Sequence, residues 1–259
     1  MTTLFLADLH LSPDTPALNA RFQAFLRAHA GQVEALYILG DLFEFWLGDD
    51  DDRPFTRDCL SWLAAFARQT PLYVLPGNRD FLLGAGFCRA SGATLLSEPH
   101  ALTLYGRPYL LCHGDALCRD DVAYQRLRRK VRQRWRQNFG VPLEATQAML
   151  GRQGARVMVL STIDPSDAWL SLLERPRAWR ARLVGAVRQE TGQAKMHKSA
   201  AIMDVNQDAV DELLNAAPSG SVLIHGHTHR PAHHQWTHHG QARQRWVIRD
   251  WRDEGGGYL

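Results

Sequence analysis

Apolar residues along this chain fall in short bursts, and each burst stops at a polar cluster. The runs in "TLFLADLH", "ALYILGDLFE", "PLYVLPGNRD", "RPYLLCHGD" and "SVLIHGHTH" are rich in Leu, Ile, Val and Tyr. They predict buried strands ending near Asp8, Asp41, Asn78, His113 and His225. "RWVIRDW" predicts a late edge strand. Between the early strands the period changes. Phe22, Phe25 and Leu26, then Leu60, Leu63, Ala64 and Ala67, recur at spacings of 3 and 4, as on the buried face of a helix. Strands alternating with helices predict an α/β fold with helices covering both faces of its sheets.

From residue 119 to about 200 the pattern differs. Tyr124, Leu127, Val131 and Trp135 form an apolar stripe, and Arg126, Arg128, Arg129, Lys130, Arg132, Arg134 and Arg136 fill the positions around it. "RPRAWRARLVGAVRQE" repeats the arrangement with Trp179, Leu183 and Val187. These segments predict basic amphipathic helices inserted as a cap, which divides the chain into 1–118, 119–200 and 201–259. Charge sharpens that division. The whole chain carries +3, but Arg119 to Lys198 holds 17 Lys/Arg against 7 Asp/Glu, about +10, which leaves about −7 elsewhere. So basic a segment on an acidic body points to an anionic partner such as a membrane surface. Solvated helix faces are the plainer explanation.

Composition narrows the class. With 45% hydrophobic and 22% charged residues the chain is globular in make-up, and no apolar run reaches the roughly 18 residues of a membrane span. The start, "MTTLFLADLHL", lacks a basic leader and carries Asp8 early, so it is expected to be the first strand of a cytoplasmic protein. Cys59, Cys88, Cys112 and Cys118 form no C-x-x-C pair and are expected to be reduced, mostly buried thiols.

The strand-end clusters carry the chemistry. They are Asp8-x-His10, Gly40-Asp41, Gly77-Asn78-Arg79, His113 and Gly226-His227-Thr228-His229. The ends of strands in α/β sheets are where such folds place their sites. Each cluster supplies a carboxylate, an imidazole or an amide oxygen, a set that suits two divalent cations sharing one carboxylate. Donors of N and O without thiolate favour Mn, Fe, Zn or a similar ion. The glycines allow close backbone approach.

The order D-x-H, GD, GN-[HR], H, GH-x-H resembles the calcineurin-like metallophosphoesterase superfamily. That resemblance implies a two-sheet αββα sandwich with a dinuclear centre. By it Asp8, His10 and His229 hold one metal, Asn78, His113 and His227 hold the other, and Asp41 bridges. His225 then stands outside the ligand set and could orient one of its members. Arg79 occupies a place where many relatives carry histidine. A guanidinium cannot donate a proton at neutral pH but can clamp a phosphate, which suits a leaving group that needs little protonation.

A narrower resemblance rests on "LFLADLHL", "LYILGDLFEFWLGDDD", "GNRDFLLG", "CHGDALCRDD", "KSAAIMDVN" and "HGHTHRPAHH". These are similar to the UDP-2,3-diacylglucosamine pyrophosphohydrolases of the Gram-negative lipid A pathway. The resemblance implies hydrolysis at the α-phosphorus by a metal-activated hydroxide, giving UMP and 2,3-diacylglucosamine 1-phosphate, with Mn2+ as the expected ion. It implies substrate contacts by Asn78, Arg79, Asp121, Thr191, Lys195, Lys198 and His227, catalytic roles for Asp41 and Arg79, and a peripheral place on the cytoplasmic side of the inner membrane. The stretch from 138 to 176 is longer than the resemblance implies, and the glycine-rich C-terminus suggests a frayed final strand.

Competing readings are another dinuclear hydrolase (a nuclease, nucleotide pyrophosphatase or phosphoprotein phosphatase) and a non-catalytic binding module. The apolar stripes of the insert argue against a nucleic-acid partner, and an intact donor set argues against a retired scaffold. "HHQWTHH" (His233 to His239) is expected to be a surface hairpin without a carboxylate partner. "GDDDDR" (Gly48 to Arg53) lacks EF-hand spacing and is expected to be a charged loop near the site mouth.

Overall fold

The computed structural model describes residues 2–126, 128–129 and 204–259. Its first half alternates strand and helix: β1 (Thr3–Leu6), α1 (Pro16–His29), β2 (Ala35–Leu39), α2 (Pro54–Ala67), β3 (Leu72–Leu75), α3 (Ala85–Ser91) and β4 (Thr94–Leu95). The strands form a parallel sheet in the order β1-β2-β3-β4. The second half supplies β5 (His100–Leu104), β6 (Arg107–Leu111), α4 (Gln207–Asn215), β7 (Val222–His225), β8 (Ala232–His238) and β9 (Gln241–Val247). These strands make a mixed sheet in the order β5-β6-β7-β9-β8.

Local sequence sets the helix limits. Helices α1 and α2 open on Pro, whose fixed φ and missing N–H suit a first helical position. Asn206 caps α4 by accepting from the Ala209 N–H. Gly92 ends α3 with φ 72, a left-handed closure that glycine adopts without strain.

The strand pleat then builds four layers. Leu4, Leu6, Leu36, Ile38 and Val74 pack outward onto Phe22, Leu63, Phe66 and Phe87 of α1, α2 and α3. Phe5, Tyr37, Leu39 and Leu75 face inward and meet Leu111, Ile224 and Ile248. The far side of the second sheet, through Leu110, Cys112 and Leu223, packs on Val210 and Leu214 of α4. Helix, sheet, sheet, helix is the αββα sandwich that the family resemblance implies. Of the four thiols, Cys59, Cys112 and Cys118 are buried and Cys88 is partly so.

Three expectations are corrected. β9 is an inner strand paired with both β7 and β8, and the edge is β8. Its "HHQWTHH" hairpin does find a carboxylate: His238 Nδ1 lies 3.4 Å from Asp211 Oδ2. The C-terminus is not frayed. Leu259 exchanges two backbone hydrogen bonds with Phe5, at 2.9 and 3.1 Å, and covers the free edge of β1. Trp251, packed edge-on to Phe22 and Phe25, holds that tail through Nε1 to the Gly257 carbonyl at 2.9 Å.

The "GDDDDR" loop is structural as well as charged. Asp49 accepts from Trp46 Nε1 and the Gly86 N–H, and buried Asp51 ties Arg53 and Thr56 at the start of α2. The cap expected over 119–200 lies mostly outside the described residues, as do Thr191, Lys195, Lys198 and the stretch from 138 to 176.

Candidate metal centre

Five loops leaving β1, β2, β3, β6 and β7 meet at one end of the two sheets and are stitched together by backbone hydrogen bonds. Asp8 N–H donates to the Gly40 carbonyl (3.1 Å), His10 N–H to the Asp41 carbonyl (2.9 Å) and Gly226 N–H to the His113 carbonyl (2.9 Å). The turns are tight enough to force unusual backbone. Asp8, His10, Asp41, His227 and His229 all have φ between 50 and 68. Among the described residues the other non-glycine cases, Tyr105 and His239, lie in hairpin turns. Left-handed backbone costs an L-residue free energy, and five instances in one cluster mark a functional site. Glycines make the approach possible: a methyl on Gly77 would collide with the Asp41 carboxylate, and one on Gly226 with that of Asp8.

The site has a rim and a floor. On the rim, Asp8, His10 and His229 bring one donor atom each within 4.8 Å of one another. On the floor Asp8, Asp41 and His113, all buried, do the same. Asp41 turns one oxygen to each half, Oδ2 at 3.9 Å from His10 Nε2 and Oδ1 at 3.6 Å from His113 Nε2. Asn78 Oδ1 lies 3.0 Å from His113 Nε2, and His227 Nδ1 lies 3.2 Å from the same nitrogen. The seven residues expected as ligands are therefore brought together.

The donor atoms crowd one another around a common point. His10 Nδ1 faces Glu44 Oε2 at 3.0 Å and His229 Nδ1 faces Asp250 Oδ2 at 3.2 Å. A proton on each Nδ1, beside its carboxylate, leaves a lone pair on each Nε2, and the two Nε2 atoms are 3.3 Å apart. Ligands bound at about 2.0–2.2 Å to one cation stand roughly this far from each other. Asp8 Oδ1 is buried and lacks a hydrogen-bond partner among the described residues. This donor set fits divalent cations.

The electrostatics carry the same signature. Burial pushes the Asp8 carboxyl up to about 7, with Asp41 adding to it against the pull of His113. Burial opposes charge on His113 too, but Asp41 and Asp8 push it up to about 9. The carboxylates thus favour positive charge at this spot. Burial and the neighbouring His113 hold His227 down at about 3, with its ring neutral and able to ligate.

Several supporting residues escape sequence reasoning. Buried Asp80 accepts from the N–H groups of Leu42 (2.8 Å), Phe43 (3.3 Å) and Gly77 (2.7 Å), which locks the loop after β2 to the loop after β3. Its place in "GNRD", beside two expected site residues, is the signal that could have found it. Glu44 and Asp250 give no such signal. His225, outside the ligand set, places Nδ1 2.9 Å from the Gly226 carbonyl, in the peptide leading to His227.

The start of the basic insert is anchored here. Arg128, expected on a charged outer face, is shielded, with Nε 2.8 Å from Asp115 Oδ2 and Nη2 3.3 Å from Glu98 Oε2. Glu98 also accepts from the His113 N–H, and the Tyr124 hydroxyl donates to Asp115 while its ring faces that of His227. Arg79 donates its N–H to Asp41 Oδ1 at 2.9 Å, and its guanidinium lies 3.3 Å from Glu44 and over the Phe45 ring. Asp121 accepts from the Tyr124 N–H at the start of a helical turn.

The sequence profile of the calcineurin-like phosphoesterases matches residues 1–231. The chain belongs to that family. Calcineurin-like phosphoesterases are metal-dependent hydrolases, in keeping with the donor clusters. Within the family the chain is 45% identical to a UDP-2,3-diacylglucosamine hydrolase of Chromobacterium violaceum, over 100% of this chain and 94% of that one. It is 42% identical to proteins of the same name from Aromatoleum aromaticum and Escherichia fergusonii, over 98% of this chain and 91% and 93% of theirs.

Proposed function

We propose that the protein hydrolyses the pyrophosphate bond of UDP-2,3-diacylglucosamine to UMP and 2,3-diacylglucosamine 1-phosphate. The observation that carries the reading is the convergence of imidazole nitrogens and buried carboxylates at the strand ends. The likeness of nearly the whole chain to hydrolases of that name narrows the substrate. When bound, divalent cations, which we take to be Mn2+, supply Lewis acidity for water and phosphoryl oxygens.

Asp8, His10 and His229 would hold one cation and Asn78, His113 and His227 the other, with Asp41 between them. The rest falls to the chain's own groups. Glu44, Asp250 and the Leu39 carbonyl keep the imidazole lone pairs of His10, His229 and His113 turned inward. The Arg79 guanidinium orients a phosphate. Water oxygen joins the α-phosphorus and gives up its proton to solvent as the bond from phosphorus to the bridging oxygen breaks, and that oxygen leaves on the sugar phosphate. A phosphate needs no proton in order to leave, which suits an arginine at position 79.

The basic segment, Asp121, Thr191, Lys195 and Lys198 would serve the substrate. The +10 of residues 119–198 supports docking on the anionic cytoplasmic face of the inner membrane. No helix among the described residues is long and apolar enough to cross a membrane.

The test is UMP release from UDP-2,3-diacylglucosamine in mixed micelles, beside an Asp41→Ala control and a soluble phosphodiester. Release that requires Mn2+ and Asp41, with little diester cleavage, is expected. Brisk diesterase activity without UMP would discard this substrate and favour a nuclease.

A further inference from the structure

We infer that Glu44 is a positioning residue that locks the phosphate clamp to the metal-binding rim. The inference deepens the proposed function and rests on it for the role of Arg79. Backbone contacts fix the place of Glu44. Its N–H donates to the Leu11 carbonyl at 3.0 Å, Leu11 and Phe43 form a bridge, and Asp80 holds Leu42 and Phe43 from behind. From that fixed point one carboxylate oxygen lies 3.0 Å from His10 Nδ1 and the other 3.3 Å from Arg79 Nη1. All three side chains are shielded, at 16% to 18% exposure, so water competes weakly for either contact.

The double contact acts on both partners. A carboxylate 3.0 Å from His10 Nδ1 favours a proton on that nitrogen and so the tautomer that leaves Nε2 free for a cation. The same anion holds a guanidinium beside a site built for cations, where the positive charge of Arg79 would otherwise be driven away. The Phe45 ring under the guanidinium, 5.2 Å from Cζ, restricts it further. One carboxylate therefore orders a ligand and a clamp together.

Glu44→Gln separates this role from packing. The amide fills the same volume but offers an acceptor to only one partner and turns NH2 toward the other. The first measurement is titration of the metal-free variant with Mn2+ alone, followed through the paramagnetic signal of the free ion. We expect one class of site to weaken about ten-fold or more. The second is binding of inorganic phosphate to Mn2+-saturated wild type, Glu44→Gln, Arg79→Ala and the double variant. Each single change should weaken phosphate binding, and the double variant should bind no more weakly than Arg79→Ala.

Wild-type Mn2+ affinity in Glu44→Gln, or full additivity with Arg79→Ala, overturns the inference. Should Glu44→Gln lower the melting temperature into the assay range, Glu44→Asp is read by the same criteria, being too short to span both partners. Neither arm uses the lipid substrate. Wild-type protein that gave these results without releasing UMP would sink the substrate reading and leave the coupling in place.

Discussion

On the rim of the centre, His10 and His229 each present Nδ1 to a carboxylate, Glu44 at 3.0 Å and Asp250 at 3.2 Å. On the floor, His113 turns Nδ1 to the backbone carbonyl of Leu39 at 2.9 Å. The rim rings are 18% and 33% exposed and that of His113 not at all. On the rim a side-chain carboxylate lies against each ring. At the buried end of a strand the main chain takes that place without burying another charge. The rim is thus adjustable by single side chains, whereas the floor is set by the fold and has no slack.

The largest way to break this comparison is to remove the group the halves share. Asp41→Ala should abolish hydrolysis at any Mn2+ concentration, because its oxygens face both His10 and His113. Residual turnover would show that one half suffices. Next comes the tightness of the floor. Gly77→Ala should cost about 1–3 kcal/mol of stability in denaturant midpoints, since the methyl meets Asp41. Gly255→Ala, at an open position, should be neutral.

On the rim, Asp250→Asn should weaken one class of Mn2+ site by about 10–100-fold with little change in melting temperature. Equal weakening of both classes, measured by titration, would erase the distinction between rim and floor.

The smallest effect concerns His225, which lies beneath the site. Burial, then the positive Arg245, holds its ring at about 3, against 6.5 for a free histidine. The unfolded chain takes up a proton below 6.5 that the folded one refuses. Stability of the metal-free protein should therefore fall as pH drops from 6.5 toward 3. This one group contributes at most about 1.4 kcal/mol per pH unit. His225→Gln should flatten urea midpoints between pH 6.5 and 5 by that amount. An unchanged slope would mean that the ring is not neutral in the folded state.

Position along the chain was legible for the ligands because each comes after an apolar run that can only be a buried strand. Asp8, Asp41, Asn78, His113, His227 and His229 needed no partner to be noticed. Their supports were not legible for the opposite reason. Glu44 in "LFEFW" and Asp250 in "IRDW" look like ordinary charges beside aromatics, and only long-range approach gives them meaning. Arg128 misleads in the same way. Beside six other basic residues it reads as surface charge, yet buried Asp115 and Glu98 draw it inward. The glycine-rich tail lacks a strand pattern, but β1 had an edge to fill.

The α/β class and the donor set were already written in the sequence, because both depend on short apolar runs that bury whole strands and on the polar cluster that closes each of them. The tertiary structure alone decided which nitrogen of each imidazole points inward, which carboxylate holds it there, and that Asp8 and Asp41 reach toward both halves. Those choices depend on distances between loops up to 219 residues apart in the chain, and local pattern carries no information about them.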